Sequence, residues 1–237
     1  MNVITVYVKL YAQCLAETVR GLRKSPWTLL LPLGMSLAMQ LLASLRSIPF
    51  LGGIILSGLL SCYLYFLGEV VRGMRVSLRE LRVSIGKYLW SVLAVVFVLW
   101  VAQFLLAMAL PRTPNAALFF RFFNLAAFIL LNAVPEVLYL RGIHGGLATF
   151  ERSFRFIQEN WLEWFIPNLP LLALAWFGVD LVGLLFAFVP SLNPIALMLV
   201  AAFGALFHTF MVFRGHLFEA LDGSSHRQRM YRSRMGG

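Results

Sequence analysis

The sequence predicts an all-α, polytopic membrane protein whose six transmembrane helices form three pseudo-repeated hairpins, each preceded by an amphipathic interfacial helix. Three observations predict it. The composition is 60% apolar with only 13% charged residues and a mean hydropathy of +0.82; six apolar runs alternate with short basic segments; and tryptophan-bearing entries and Arg-Gly exits recur about every seventy residues. Soluble domains carry about 25% charged residues because they must wet their surface, so this outer surface is expected to face lipid. No polar stretch is long enough for a second domain. The expected organisation is a single transmembrane domain over 1–222, with pseudo-repeats at about 3–73, 76–142 and 147–215, followed by a basic, aperiodic and disordered tail over 223–237.

The six runs lie at 27–45, 49–70, 88–110, 117–140, 164–188 and 194–213. A helix of about 20 residues crosses roughly 30 Å of hydrocarbon, which each run can do. Turn signals separate them: Pro49 after Arg46, Pro111 and Pro114 around Arg112, and Pro190 with Pro194 around Asn193. Every Lys and Arg except Arg46, Arg112 and Arg121 lies on one side of this alternation. Basic loops stay in the cytoplasm, which predicts that both termini are cytoplasmic. The same clustering accounts for the net charge of +10 without nucleic acid as a partner.

The cytoplasmic segments have helical periodicity of their own. Residues 3–19 place Val3, Tyr7, Leu10, Tyr11, Cys14 and Leu15 at helical spacing, and 76–86 and 147–159 repeat the pattern. Two placements fit: a helix lying in the headgroup region, or a short helix packed under the bundle. Cys14 and Cys62 have no partner spacing and read as small apolar residues. The first twenty residues, interrupted by Lys9 and Glu17, do not read as a cleavable signal.

The internal repeat rests on two sets of positions. Trp27, Trp90 and Trp161 open the three hairpins in RGLRKSPWTLLLPL (20–33), VSIGKYLWSVLAVV (83–96) and RFIQENWLEWFIPNL (155–169), and with Trp164 they suit rings anchored at the headgroup boundary. Arg72-Gly73, Arg141-Gly142 and Arg214-Gly215 close them, spaced by 69 and 73 residues. Units that enter from the same side are parallel repeats, unlike the inverted repeats of many secondary transporters.

Ionisable groups inside an apolar run demand a partner or a function. Asp180 in the fifth run and Arg121 at the outer end of the fourth are the sharpest pair. Two readings fit them: an ion pair that fixes helix register, or a polar site touching substrate, proton or partner. Gln40, Gln103, Asn124, Asn132 and His208 read as interhelical hydrogen bonds. Glu69 and Glu136 precede two Arg-Gly pairs by three and five residues, with His208 in the comparable place of the third unit; a metal or proton site is the alternative for these three. Gly52-Gly53 with Gly58 suit close helix packing, and Gly142 with Gly145-Gly146 suit a loop. The tail residues Arg227, Arg229, Arg232 and Arg234 can attract an anionic leaflet or simply fix orientation. No phosphate loop, GxSxG elbow, HExxH or dinucleotide fingerprint occurs, so neither catalysis nor a cofactor is expected.

The layout of SLRELRVSIGKYLWSVLAVV (77–96) and LATFERSFRFIQENWLEWFIPNL (147–169) resembles a poorly characterised group of bacterial six-helix membrane proteins, which includes the membrane domains of some glycerophosphodiester phosphodiesterases. The resemblance implies location in a bacterial cytoplasmic (inner) membrane and supplies no catalytic residue. Two functions are expected from it and from the residues together. One is a non-enzymatic subunit or scaffold of a membrane complex, in contact with lipids and other membrane subunits. The other is a transport permease, since six spans after an N-terminal amphipathic helix are similar to polysaccharide-type ABC exporters, which work with a separate ATPase.

Overall fold

The computed structural model describes residues 3–44, 49–110, 115–143, 145–177 and 194–223, and these are helical with no strand among them. In chain order the helices are α1 (Val3–Lys24), α2 (Leu31–Ser44) after a 3-10 turn at Pro26–Leu30, α3 (Pro49–Val71), α4 (Leu81–Lys87), α5 (Leu89–Ala109) and α6 (Ala116–Leu130). Then come α7, a helical turn at Val134–Glu136 continued by the wider π-helical turn Val137–Arg141, and α8 (Gly146–Phe177) and α9 (Pro194–Leu221).

Three stretches are long and apolar enough to cross a membrane: Gly52–Val71, Leu89–Ala109 and Leu197–Leu221. A fourth is present if Leu118–Leu130 and Val134–Arg141, bent by 44° at their junction, count as one span. This fits a membrane protein, with fewer continuous spans among the described residues than the six apolar runs suggest. The first run is broken, because Pro26 opens it as a 3-10 turn and leaves α2 only 14 residues long. The fifth begins inside α8, whose C-terminal part reaches Phe177, and its remainder lies outside the described residues.

Glycines set how closely the helices approach. A Cβ on Gly215 of α9 would stand 2.5 Å from the Val71 side chain and 2.6 Å from Tyr139 Oη, and one on Gly21 of α1 would stand 2.9 Å from the Val70 carbonyl oxygen. Contacts that short do not occur for a real Cβ, so α1, α3, α7 and α9 pack at backbone distance only because these positions are glycine. Gly52 and Gly53, expected with Gly58 to serve this purpose, have nothing within 4 Å among the described residues, while Gly58 meets Ile85 at 3.5 Å and Gly146, expected in a loop, abuts Ala94 of α5.

The first two Arg-Gly pairs end helices. Gly73 at φ +69° donates to Val70 O while Met74 donates to Glu69 O, and Gly142 at φ +62° donates to Leu138 O. These are left-handed caps that consume carbonyls otherwise orphaned at a helix end, a backbone conformation glycine adopts without penalty. The third pair does something else. Arg214-Gly215 lies inside α9, which runs on to Leu221 before Gly223 takes a positive φ. A glycine needed for close approach reads the same in sequence as one needed for a turn.

Helix α1 is packed on the bundle along one side and open on the other. Cys14, Thr18 and Leu22 are buried, while Val8, Leu15 and Val19 are exposed. Tyr11 Oη donates to Glu163 O at 2.9 Å. That carbonyl stands four residues before Pro167, which has no N–H to offer it, so the tyrosine fills a gap that proline opens in α8. Burial, aided by Glu163, pushes the Tyr11 phenol up to about 12, and burial with Glu17 pushes the Cys14 thiol up to about 11. Both stay protonated at neutral pH, so Tyr11 keeps its donor and Cys14 acts as a packing group.

Candidate functional site

The polar centre of the protein is built where α6 breaks. Glu136 is fully buried and Arg214 nearly so, and Arg214 Nε lies 3.0 Å from Glu136 Oε1. The second guanidinium nitrogen donates to Glu136 Oε2 at 3.1 Å and to the Asn132 carbonyl at 2.6 Å. The break between α6 and α7 presents that carbonyl sideways. Asn132 Oδ1 in turn accepts from Trp164 Nε1 at 2.9 Å, and the guanidinium carbon sits 5.0 Å from the Trp164 ring centre. One carboxylate, one carbonyl and one aromatic face thus surround a single cation. A buried ion pair recovers its desolvation cost only when further hydrogen bonds complete it; here the Asn132 carbonyl supplies one, while Glu136 Oε1 and Arg214 Nε, 3.0 Å apart, make no hydrogen bond among the described residues.

Around this centre lie groups with fewer partners. His208 Nδ1 is 3.3 Å from Tyr63 Oη. Tyr139 Oη, His208 Nε2, Asn168 Oδ1 and His216 Nε2 are buried with no protein partner among the described residues. Tyr63 also lines an apolar cavity of about 440 Å³ between α2, α3 and α9, with Pro32, Met35, Phe203, Phe207 and Met211.

A second polar layer closes the end where α3, α7 and α9 finish. Glu69 pairs with Arg72 at 3.0 Å and stands 3.9 Å from Lys87. Arg72 also donates to the Tyr139 carbonyl at 2.8 Å. Asp222, 3% exposed at its side chain, takes ion pairs from both Arg141 and Arg152. Lys24 Nζ donates to Gly73 O at 2.8 Å, which ties the end of α1 to the same layer.

The three residues offered as one metal or proton site do not come together. Glu69, Glu136 and His208 each have a different partner, and no metal-holding group of three or more His, Cys, Asp or Glu exists among the described residues. Gln103 Nε2 donates to Asn124 Oδ1 at 3.1 Å, linking α5 to α6. Arg121 is exposed on α6. Asp180 and the tail residues Arg227, Arg229, Arg232 and Arg234 lie outside the described residues. Trp90 and Trp161 are largely exposed, and Trp27 is partly buried with Nε1 donating to Val76 O at 3.1 Å. Trp164 departs from its expected place as an interfacial anchor. It is fully buried beneath Phe156 and Phe218, because the indole N–H and ring face are both used by the polar centre.

Arg214 is the residue whose role sequence reasoning missed, reading it as a cytoplasmic charge and as half of a closing Arg-Gly pair. The signal was its setting in FMVFRGHLF (210–218), where apolar residues continue on both sides. Compared with protein-family models, curated proteins and solved structures, the chain matches none. The likeness of layout noted from the sequence accordingly assigns no role to any residue of the site.

Proposed function

We propose that this protein is a non-enzymatic integral membrane subunit that scaffolds a membrane complex, with α5 as the helix that meets its partner. The carrying observation is the contrast between apolar spans. In the most apolar window of Gly52–Val71, 61% is buried within the protein, against 11% for Leu89–Ala109, although the latter has the higher mean hydropathy. On α5, Phe97, Trp100 and Phe104 stack successively with ring centres 6.1 and 5.5 Å apart, and all three are at least half exposed. Lipid alone calls for apolar residues but not for an ordered ladder of rings; aromatic groups at such density suit packing against another helix.

The proposal includes six spans in three parallel units with both ends cytoplasmic. Supporting it, the ends of α3, α7 and α9 meet in one charged layer at the basic side of the alternation. The interior polar centre is consistent with a structural lock, since its cation pairs with Glu136 and donates to the Asn132 carbonyl. The permease reading draws less support, because α1, which would have to couple to an ATPase, packs into the bundle through Cys14, Thr18 and Leu22.

Replacing Phe97, Trp100 and Phe104 together by Leu keeps the span apolar and removes the rings. Crosslinks from a photoreactive residue at position 100, formed in intact membranes, should reach one defined membrane protein, and that protein should no longer co-purify with the triple variant. If position 100 crosslinks only to lipid, and the triple variant purifies with unchanged composition, the subunit reading is wrong.

A further inference from the structure

Two basic pockets flank the turn that follows α3, and their difference points to a ligand. The pocket at Arg72, Lys87, Tyr88, Tyr139 and Arg141, of about 410 Å³, already has carboxylates for its cations: Glu69 serves Arg72 and Lys87, and Asp222 serves Arg141. The other, of about 470 Å³, is lined by Ala16, Val19, Arg20, Arg23, Lys24 and Arg75. Among the described residues none of its four cations has a carboxylate within ion-pair distance. Four exposed positive charges around one concavity give it a positive potential that attracts an anion.

We infer that this second pocket holds the phosphate of an anionic phospholipid headgroup. Its geometry is built rather than incidental: Lys24 Nζ anchors Gly73 O, which fixes the last turn of α1 against the 73–76 segment and brings Arg75 opposite Arg20 and Arg23. Guanidinium groups match phosphate oxygens in pairs of hydrogen bonds. A lipid is favoured over a free phosphate by what borders the cations. Val8, Leu15 and Val19 on α1, with Met74 and Leu78 beyond the turn, are all exposed apolar side chains. Such a border suits acyl chains beneath a headgroup, as for helices lying in the interface. The inference rests on the membrane reading but not on a partner at α5.

The test uses the full chain in a neutral detergent, titrated with phosphatidylglycerol, with phosphatidylcholine or with inorganic phosphate, and read by native mass spectrometry and by thermal shift. Phosphatidylglycerol should remain bound at one per chain and raise the thermal midpoint, where phosphatidylcholine and millimolar inorganic phosphate do neither. Each charge removed should weaken binding about five-fold, so Arg20→Gln, Arg23→Gln and Arg75→Gln combined should weaken it by on the order of a hundred-fold. Arg79→Gln with Arg82→Gln, equally basic residues outside the pocket, should leave it within about two-fold. Arg75→Gln alone provides the reading if the triple variant does not fold. The Phe97, Trp100 and Phe104 replacements should bind phosphatidylglycerol normally, which separates failure here from failure of the subunit reading. Equal binding of phosphatidylcholine, or an unchanged pocket variant, would overturn the site; saturation by inorganic phosphate would overturn its assignment to lipid.

Discussion

Glu69–Arg72 and Glu136–Arg214 are the same chemical pair in two solvents. The first joins residues three apart at the end of α3, with the Arg72 side chain 38% exposed; the second joins residues 78 apart, with side chains 0% and 4% exposed. At the rim, water screens the charges and either partner can be solvated when the other is lost. In the centre, the surroundings are Trp164, Phe218 and the backbone of a broken helix, and an abandoned charge has nowhere to go. The difference teaches that a polar residue in this fold matters in proportion to how completely the protein has replaced water around it, and very little in proportion to its charge.

That comparison can be broken in a definite order of effect. Glu136→Ala strands Arg214 and should cost about 3–5 kcal/mol, visible as a large fall in the unfolding midpoint in detergent. Removing both charges, as Glu136→Leu with Arg214→Met, should recover much of this, because no uncompensated ion remains; a double variant as unstable as the single one would show that the pair itself, and not its stranding, carries the stability. Next, Gly215→Ala drives a methyl into Val71 and Tyr139 and should cost about 1–3 kcal/mol by overpacking, although it changes no charge. Smallest, Glu69→Gln should change stability by at most about 1 kcal/mol, since its partners are more than a third exposed. If Glu69→Gln matched Glu136→Ala in the same unfolding assay, burial would not be the governing variable.

Much of the helical plan was legible from period and composition. The helix ends at Gly73 and Gly142 follow from local chemistry that a sequence displays, as does the expectation that Gln103 and Asn124 bond between helices, though not that they bond to each other. What stayed hidden depends on which helices adjoin. Nothing near Glu136 says that its counter-ion waits on α9, because both the nearer Arg141 and the distant Arg214 satisfy the same local requirement. Trp161 and Trp164 differ by one helical turn and look equivalent, yet only the second finds Asn132 beside it. Gly215 repeats the letters of Gly73 and Gly142 for an unrelated purpose, so a recurrence of sequence need not be a recurrence of conformation.

The hydroxyl of Tyr11 completes a gap that Pro167 leaves in α8, and Tyr11 and Cys14 belong to the same cluster as Trp164, Leu217 and Phe218. During synthesis, then, the Tyr11–Cys14 stretch of α1 cannot be covered until α8 and α9 have been made, although Gly21 and Lys24 can already meet α3 and the turn after it. That stretch must wait with its inner side uncovered, and the arrival of α9 sets the moment at which Cys14 and Tyr11 are enclosed, while Val8, Leu15 and Val19 on the other side stay exposed.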